Sequence, residues 1–361
     1  MEIVVNKQQL IKAYSGKKVF ITGHTGFKGT WLSILLNMLG AEVKGYALAP
    51  EHELSIFNLT KPLSGSQNVI ADIRNKEKLK QEILDFAPDF IFHLAAQPLV
   101  RLSYQIPAET FEVNVIGTAN LLEALTILNK KCTTVIVTTD KVYENKEQDI
   151  LYKEEDRLGG YDPYSASKAC TEIVVDSFRN SFFNTGTHSL HQKAIASARA
   201  GNVIGGGDFS KDRIIPDIVQ ALKNDQPVTV RNPHAVRPWQ HVLEPVTGYI
   251  LLALQLNEDI QFSGAYNFGP RPEDHLSVKD LVALSIKAWG GGTWIDQSDN
   301  TQPHEATLLK LDIQKAINHL LWTPKMEAAI AISKTLDWYK NVQAENALVY
   351  TQQQIEDYLE L

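Results

Sequence analysis

Lys17-Lys18-Val19-Phe20-Ile21-Thr22-Gly23-His24-Thr25-Gly26-Phe27-Lys28-Gly29 decides the fold, together with the Thr30-Trp31-Leu32-Ser33-Ile34-Leu35-Leu36 that follows it. The first six residues are a short apolar strand. The last seven continue with helical spacing. Between them the glycines fall as Gly-x-x-Gly-x-x-Gly, at positions 23, 26 and 29. A strand, a glycine turn and a helix in this order form a variant of the dinucleotide fingerprint. Glycines let backbone approach a pyrophosphate, which then sits at the positive end of the helix.

Further strands follow at a steady pitch. Glu42 to Leu48 is the second, Asn68 to Ile73 the third and Phe90 to Ala96 the fourth. A long amphipathic helix is expected from Pro107 to Leu128. Strands alternating with helices imply an α/β fold, a Rossmann-type doubly wound parallel sheet. An acid is expected ~20 residues after the glycines, to hold the ribose hydroxyls of NAD. Gly45-Tyr46-Ala47-Leu48 stands there instead, and the first acid is Glu51. No arginine is present to take a 2′-phosphate, so NAD is favoured over NADP. Asp72, beside Ile73, is read either as an acceptor for the adenine amino group or as a helix cap. Leu94-Ala95-Ala96 is small enough for a cofactor to lie against its backbone. His93 reads as a packed strand histidine.

The chemistry centres on residues 135–168. Val135-Ile136-Val137-Thr138-Thr139-Asp140-Lys141 is a buried strand delivering a hydroxyl, an acid and a base at its carboxyl end. Tyr164-Ser165-Ala166-Ser167-Lys168 then enters a helix, where i and i+4 share a face. A tyrosine has an ordinary pKa of ~10, and a cation one turn away favours the phenolate. A second Tyr-x-x-x-Lys, Tyr14 to Lys18, straddles Gly16 and precedes the first strand, so it cannot present one helical face.

Composition narrows the classes. With 361 residues, 44% hydrophobic and 21% charged, the chain suits one large domain or two smaller ones. A net charge of −7 without a long basic run argues against nucleic acid. Cys132 and Cys170 are too few for a disulfide scaffold or a Cys-rich zinc site. His188 and His191 lack an acidic third ligand, so no metal is expected. No apolar run approaches the ~18 residues of a membrane span. The start lacks the layout of a signal peptide, and a cytoplasmic setting is expected.

Lys193 to Ile204 is the next strand, broken by Gly205-Gly206-Gly207-Asp208. Beyond it the strand–helix rhythm loosens. The expected division is a cofactor-binding domain over 16–204 and, mainly over 205–361, a smaller substrate lobe, with a return to the first domain around 240–270. Arg213, Arg231 and Arg237 are candidates for clasping an anion, since guanidinium binds phosphate oxygens in pairs. Gly290-Gly291-Gly292 reads as a helix stop.

The glycine turn, Leu94-Ala95-Ala96, Asn114, Thr139 and Tyr164-x-x-x-Lys168 resemble the extended short-chain dehydrogenase/reductases. Thr139-Asp140-Lys141 is similar to the triplet of the nucleotide-sugar 4,6-dehydratases within them. The resemblance is strongest to members acting on CDP-glucose, carried also by Arg199 to Asp208 and Val236 to Val242, and it runs from about Gly16 to about Pro324. It implies a tightly held NAD and a redox-neutral loss of water. It implies Tyr164, Lys168 and Thr139 at the oxidised carbon, Asp140 as acid and Lys141 as base or as a charge that stabilises an enolate. Gly23, His24, Gly26, Phe27, Lys28, Gly29, Asp72, Ile73, Leu94, Ala95 and Ala96 would face the cofactor. Gln97, Asn202, Arg213, Arg231 and Arg237 would hold the nucleotide sugar. A homodimer or dimer of dimers, built on the Tyr164 helix and the helix after Pro107, and a role in deoxysugar and O-antigen-type polysaccharide synthesis are implied as well.

Overall fold

The computed structural model describes residues 7–298 and 308–361. The first six, part of the start expected to lack a signal-peptide layout, lie outside the described residues. Seven strands form one sheet: β1 Lys18–Thr22, β2 Glu42–Ala47, β3 Asn68–Ile70, β4 Phe90–His93, β5 Cys132–Val137, β6 Lys193–Ala200 and β7 Gly264–Phe268. Their spatial order is β3-β2-β1-β4-β5-β6-β7, and every neighbouring pair is parallel. The order reverses between β1 and β4, which opens a crevice at the carboxyl ends of those strands.

Both faces of the sheet are covered, as a parallel sheet requires. All six residues of β5 and all eight of β6 are buried. Alternate residues feed two cores. Val19, Ile21, Phe90, Phe92, Val135 and Val137 pack on one side with Trp31, Leu35, Val246 and Ile250. Phe20, Ile91, Ile136 and Ile195 pack on the other with Leu79, Ile83, Leu121 and Leu125. The later segment adds one strand and one helix to this sheet. Gly264–Phe268 pairs with β6, with Ala265 opposite Ser197, and the Leu243–Glu258 helix supplies Val246 and Ile250. The later segment otherwise forms short pairs, Val228–Val230 with Trp294–Asp296 and Val236–Arg237 with Leu276–Ser277.

The third and fourth strands end earlier than expected, at Ile70 and His93, and two further elements differ. The strand expected from Lys193 to Ile204 ends at Ala200, and Val203–Ile204 pairs separately with Gln240–His241. The helix expected over 107–128 is helical but uneven. It runs Pro107–Phe111, a π turn over Glu112–Ile116, then Gly117–Ile127. The wide turn aims Asn114 inward. Its Oδ1 accepts from Gln97 N at 2.8 Å and its Nδ2 donates to Ser167 Oγ at 2.8 Å. Such bulges occur frequently at functional sites.

Gly205-Gly206-Gly207 is a packing motif. A Cβ on Gly206 would stand 1.9 Å from Trp338 Cγ, and Gly207 at φ +82 lies against Ile56. We predict that Gly206→Ala destabilises the protein by ~1–3 kcal/mol, the range for overpacking a filled core. A thermal melt checks this, and an unchanged midpoint would show that Trp338 can move aside.

Candidate active site

The glycine turn is built for close approach. Gly23 has φ +78, and a Cβ there would lie 2.7 Å from Ala95 N and 2.8 Å from Leu94 C. A Cβ on Gly29 would lie 2.1 Å from Gly23 O. Gly26 caps the Phe27–Met38 helix without a side-chain hydrogen bond, so no side chain of its own covers the first-turn N–H groups. A bare, positive helix end beside small residues of the β4 end fits a dinucleotide pyrophosphate.

His24 does not face that space. It is fully buried, its Nε2 pairs with Asn68 Oδ1 at 2.7 Å and its ring meets Phe57 edge-on. The same packing excludes an acid at Gly45. A Cβ on Gly45 would sit 2.2 Å from His24 Cγ, so a side chain there would collide with the imidazole. Asp72 does not cap the next helix, because Asn75 accepts from Lys78 N instead. Arg74 binds the Asp72 carboxylate, at 2.6 Å from Nη2. Ile73 is buried against Gly117. His93 is the packed histidine expected, held by Thr22 Oγ1 at 2.6 Å and Thr118 Oγ1 at 3.0 Å.

The end of β5 and the Pro163–Ser181 helix bring the chemical groups together. Asp162 caps that helix through Ser165 N at 2.9 Å, and Pro163 opens it. Tyr164 and Lys168 are buried on one face. Thr139 stands close enough to Tyr164 to lower its pKa, and Thr139 Oγ1 donates to Asp140 Oδ1 at 2.9 Å. Asp140 is almost fully buried, and its Oδ2 makes no hydrogen bond among the described residues. Burial raises its pKa, against the pull of Lys141, Thr139 and Arg237. A carboxyl group whose protonated form is favoured in this way can act as an acid.

The electrostatics differ from the sequence expectation in one respect. Burial pushes Tyr164 up to about 12, with Thr139 and Arg213 pulling it back. Lys168 donates to Val137 O at 3.2 Å, and burial lowers it to about 8 while Glu172 raises it. Lysine proximity alone therefore does not yield a phenolate at neutral pH. Lys28, expected at the cofactor phosphates, lies among the reacting groups. Burial first, then Lys168 and Arg213, lower it to about 7, Asp140 opposes them, and its ammonium stands 5.9 Å from the Tyr249 ring centroid.

These groups open onto a cavity of about 540 Å³ whose lining includes Lys28, Thr139, Asp140, Lys141, Tyr164, Asn202, Arg213, Arg231 and Arg237. Gln97 is absent from it. Its side chain is tied to Thr110 Oγ1 at 2.9 Å and to Leu99 N at 2.6 Å, and so braces the loop after β4. Arg213 pairs with Asp208 at 3.1 Å and Arg231 with Asp212 at 2.7 Å. Arg237 is buried close enough to Asp140 to lower its pKa. Arg101 and Trp239 also line the cavity and were not singled out in the sequence, where nothing marks them as a pair.

A glycine-rich turn at the switch point of a parallel sheet, facing a Thr-Tyr-Lys cluster, is the arrangement of an extended short-chain dehydrogenase/reductase. Residues 20–335 match the family described as GDP-mannose 4,6 dehydratase, and the chain belongs to that family. It is 46% identical over 349 residues to CDP-glucose 4,6-dehydratase of Salmonella typhimurium, covering 96% of this chain and 97% of that one. It is 28% identical to CDP-paratose 2-epimerase of Salmonella typhi, over 90% of this chain and 100% of the other. Among solved structures, dTDP-glucose 4,6-dehydratase from Streptomyces venezuelae with NAD bound superposes with a TM-score of 0.76 at 21% identity, covering 90% of this chain and 97% of that one. The NAD complex of UDP-glucose 4-epimerase from Thermus thermophilus gives 0.78 at 23%, covering 90% and 100%. At these identities the two structures establish the fold.

Tyr164→Phe removes only the phenolic oxygen. We predict a fall in turnover of ~10²–10⁴-fold, the range for losing a positioned proton-transfer group, with an unchanged melting profile. Activity within a factor of a few of the parent would take Tyr164 out of the chemistry.

Proposed function

We propose that this chain carries out the NAD-dependent 4,6-dehydration of CDP-glucose to CDP-4-keto-6-deoxyglucose. The observation that carries this reading is the end-to-end match to the Salmonella typhimurium enzyme, with Thr139, Asp140, Lys141 and Tyr164 on the wall of one cavity. Gly23, Gly26, Phe27 and Gly29 would hold the cofactor pyrophosphate. Leu94 to Ala96 and Lys168 would flank its nicotinamide end, and Asp72 and Ile73 its adenine. When bound, NAD supplies a positive ring that takes a hydride from C4 and later returns it to C6.

The chain's own groups handle the protons. Tyr164 would remove the C4 hydroxyl proton as its phenolate, which Thr139 and Arg213, together with the positive ring of bound NAD, would favour against burial, with Thr139 on the same oxygen. The C4 ketone then makes the C5 proton acidic. Lys141 takes that proton or stabilises the resulting enolate as a cation. Asp140, whose protonated form burial favours, gives its proton to the C6 hydroxyl, which leaves as water. C5 is reprotonated at the end, so the sugar gains no net oxidation. Asn202, Arg213, Arg231 and Arg237 hold the nucleotide diphosphate; Arg213 and Arg231 exchange carboxylate partners for phosphate oxygens. An epimerase needs the oxidation groups but not an acid beside a base, so Asp140 and Lys141 separate the two readings.

A homodimer belongs to the same proposal. Ile116 is 53% exposed, Ile173 57% and Phe182 55%, on the helices expected to pair. A cytoplasmic setting fits the two free cysteines. Deoxysugar synthesis for an O-antigen-type polysaccharide would consume the product.

Incubation with CDP-, dTDP-, GDP- and UDP-linked hexoses, read by mass spectrometry for a 4-keto-6-deoxy product, tests the substrate. CDP-glucose is expected to respond first, and turnover of dTDP-glucose with no response to CDP-glucose would overturn the choice. Lys141→Met is expected to accumulate a 4-keto sugar that keeps its C6 oxygen, trapped by borodeuteride. Normal product from that variant would remove Lys141 from the elimination. Ile173→Glu is expected to give a monomer by light scattering, and an unaltered dimer would place the interface elsewhere.

A further inference from the structure

The Pro163–Ser181 helix carries a third buried group on the face of Tyr164 and Lys168. Glu172 stands one turn beyond Lys168 and is fully enclosed. Its Oε1 accepts from Thr138 Oγ1 at 2.5 Å. Its Oε2 accepts from Ser197 Oγ at 2.7 Å and from Arg199 Nη2 at 2.9 Å. Arg199 is fixed in turn. Its Nη1 donates to Tyr143 OH at 3.0 Å and to Glu154 O at 2.9 Å, and its guanidinium lies 5.1 Å from the Tyr143 ring centroid. Tyr143 donates to Asn267 Oδ1 on β7 at 2.6 Å.

One carboxylate therefore joins the catalytic helix, the end of β5 and the middle of β6. Thr138, which it holds, immediately precedes Thr139. None of these atoms lines the described cavity except through Thr138. The proposed chemistry uses neither Glu172 nor Arg199. Burying an ion pair at this depth is weak evidence for stability, because desolvation offsets the attraction. A functional reason is the stronger account of why the pair is there.

We infer that Glu172 is a positioning residue for the oxidation step. Its carboxylate fixes the Thr138–Thr139 strand end against the catalytic helix and supplies the counter-charge that keeps Lys168 cationic. The inference rests on the dehydratase reading for its kinetic readout, but not for its titration readout.

The charges around Lys168 support this assignment. Lys28 faces it from the glycine turn and His93 from β4, and each has its own pKa lowered by it. Glu172 is the group that raises the pKa of Lys168 against burial. Burial would raise Glu172 itself, but Arg199, Thr138 and Ser197 outweigh it and hold the carboxyl below its ordinary range. It is therefore ionised wherever the enzyme works. Lys168 titrates near 8, so its cationic form is lost as pH rises through that value. Without Glu172 the loss begins at lower pH.

The test is Glu172→Gln, which keeps the shape and removes the charge. Lys168 titration is read by competitive acetylation against pH with mass spectrometry, and kcat/KM is followed over the same range. Both the labelling midpoint and the basic limb of the profile are expected to fall by about one pH unit, the lower end for loss of a nearby opposite charge. Glu172→Asp is expected to restore them. Unmoved midpoint and limb in a folded variant would overturn the counter-charge. Should Glu172→Gln fail to fold with Arg199 left unpaired, Glu172→Gln/Arg199→Gln removes both charges and is judged by the same two readouts. Thr138→Val cuts only the link to the strand end. It is expected to lower kcat on the order of tenfold with the basic limb in place, and an unchanged kcat would overturn the positioning role. Absence of product from the parent protein would count against the dehydratase reading alone, since the labelling midpoint needs no substrate.

Discussion

The contact between the glycine turn and the end of β4 is the constraint on which the rest depends. Gly23 has no room for a side chain because Leu94 and Ala95 press against it. That contact brings β1 and β4 together at the point where the strand order reverses. It leaves the Phe27–Met38 helix end bare and aims Lys28 inward. Once these are set, β5 lies next to β4 and must deliver Thr139 and Asp140 to the same rim. The Pro163–Ser181 helix lies at this rim, with Tyr164 beside Thr139.

The second organising feature is a cluster of cations in and behind the cavity wall. Lys28, Lys168, Arg213 and Arg237 surround Asp140 or one another. Burial lowers the pKa of both lysines, and Lys168 and Arg213 lower that of Lys28 further. The result is two lysines poised near neutrality. Such a site is unfavourable for a protein that only needs to fold. It suits one that binds a diphosphate and stabilises negative charge on sugar oxygens.

Much of this was legible in the chain. The strand–glycine–helix run and the regular strand spacing led to the sheet, and the hydroxyl, acid and base at the end of β5 led to the site. What was not legible depended on partners distant in sequence. His24 reads as a phosphate neighbour until Asn68, Phe57 and Gly45 are seen to enclose it. Gln97 reads as a substrate contact until Thr110 captures it. Glu172 and Arg199 carried a signal that went unused. An arginine within a run of alanines, and an acid two turns after a catalytic tyrosine, each require a buried partner.

The π turn at Glu112–Ile116 has a consequence for how such a chain can vary. A helix with one surplus residue is divided into two halves with independent phases. The first half is locked by Asn114 to Gln97 and Ser167. The second is locked by Thr118 to His93 and by Leu121 and Leu125 to the sheet. Loss of a single residue there would barely shorten the rod. It would turn everything beyond by about 100°, the angle of one helical residue, and no side chain of the second half would meet its seat. A change of residue count in this helix would therefore reach every contact of its second half. Its residue count is as much a part of the active site as the tyrosine it helps to place.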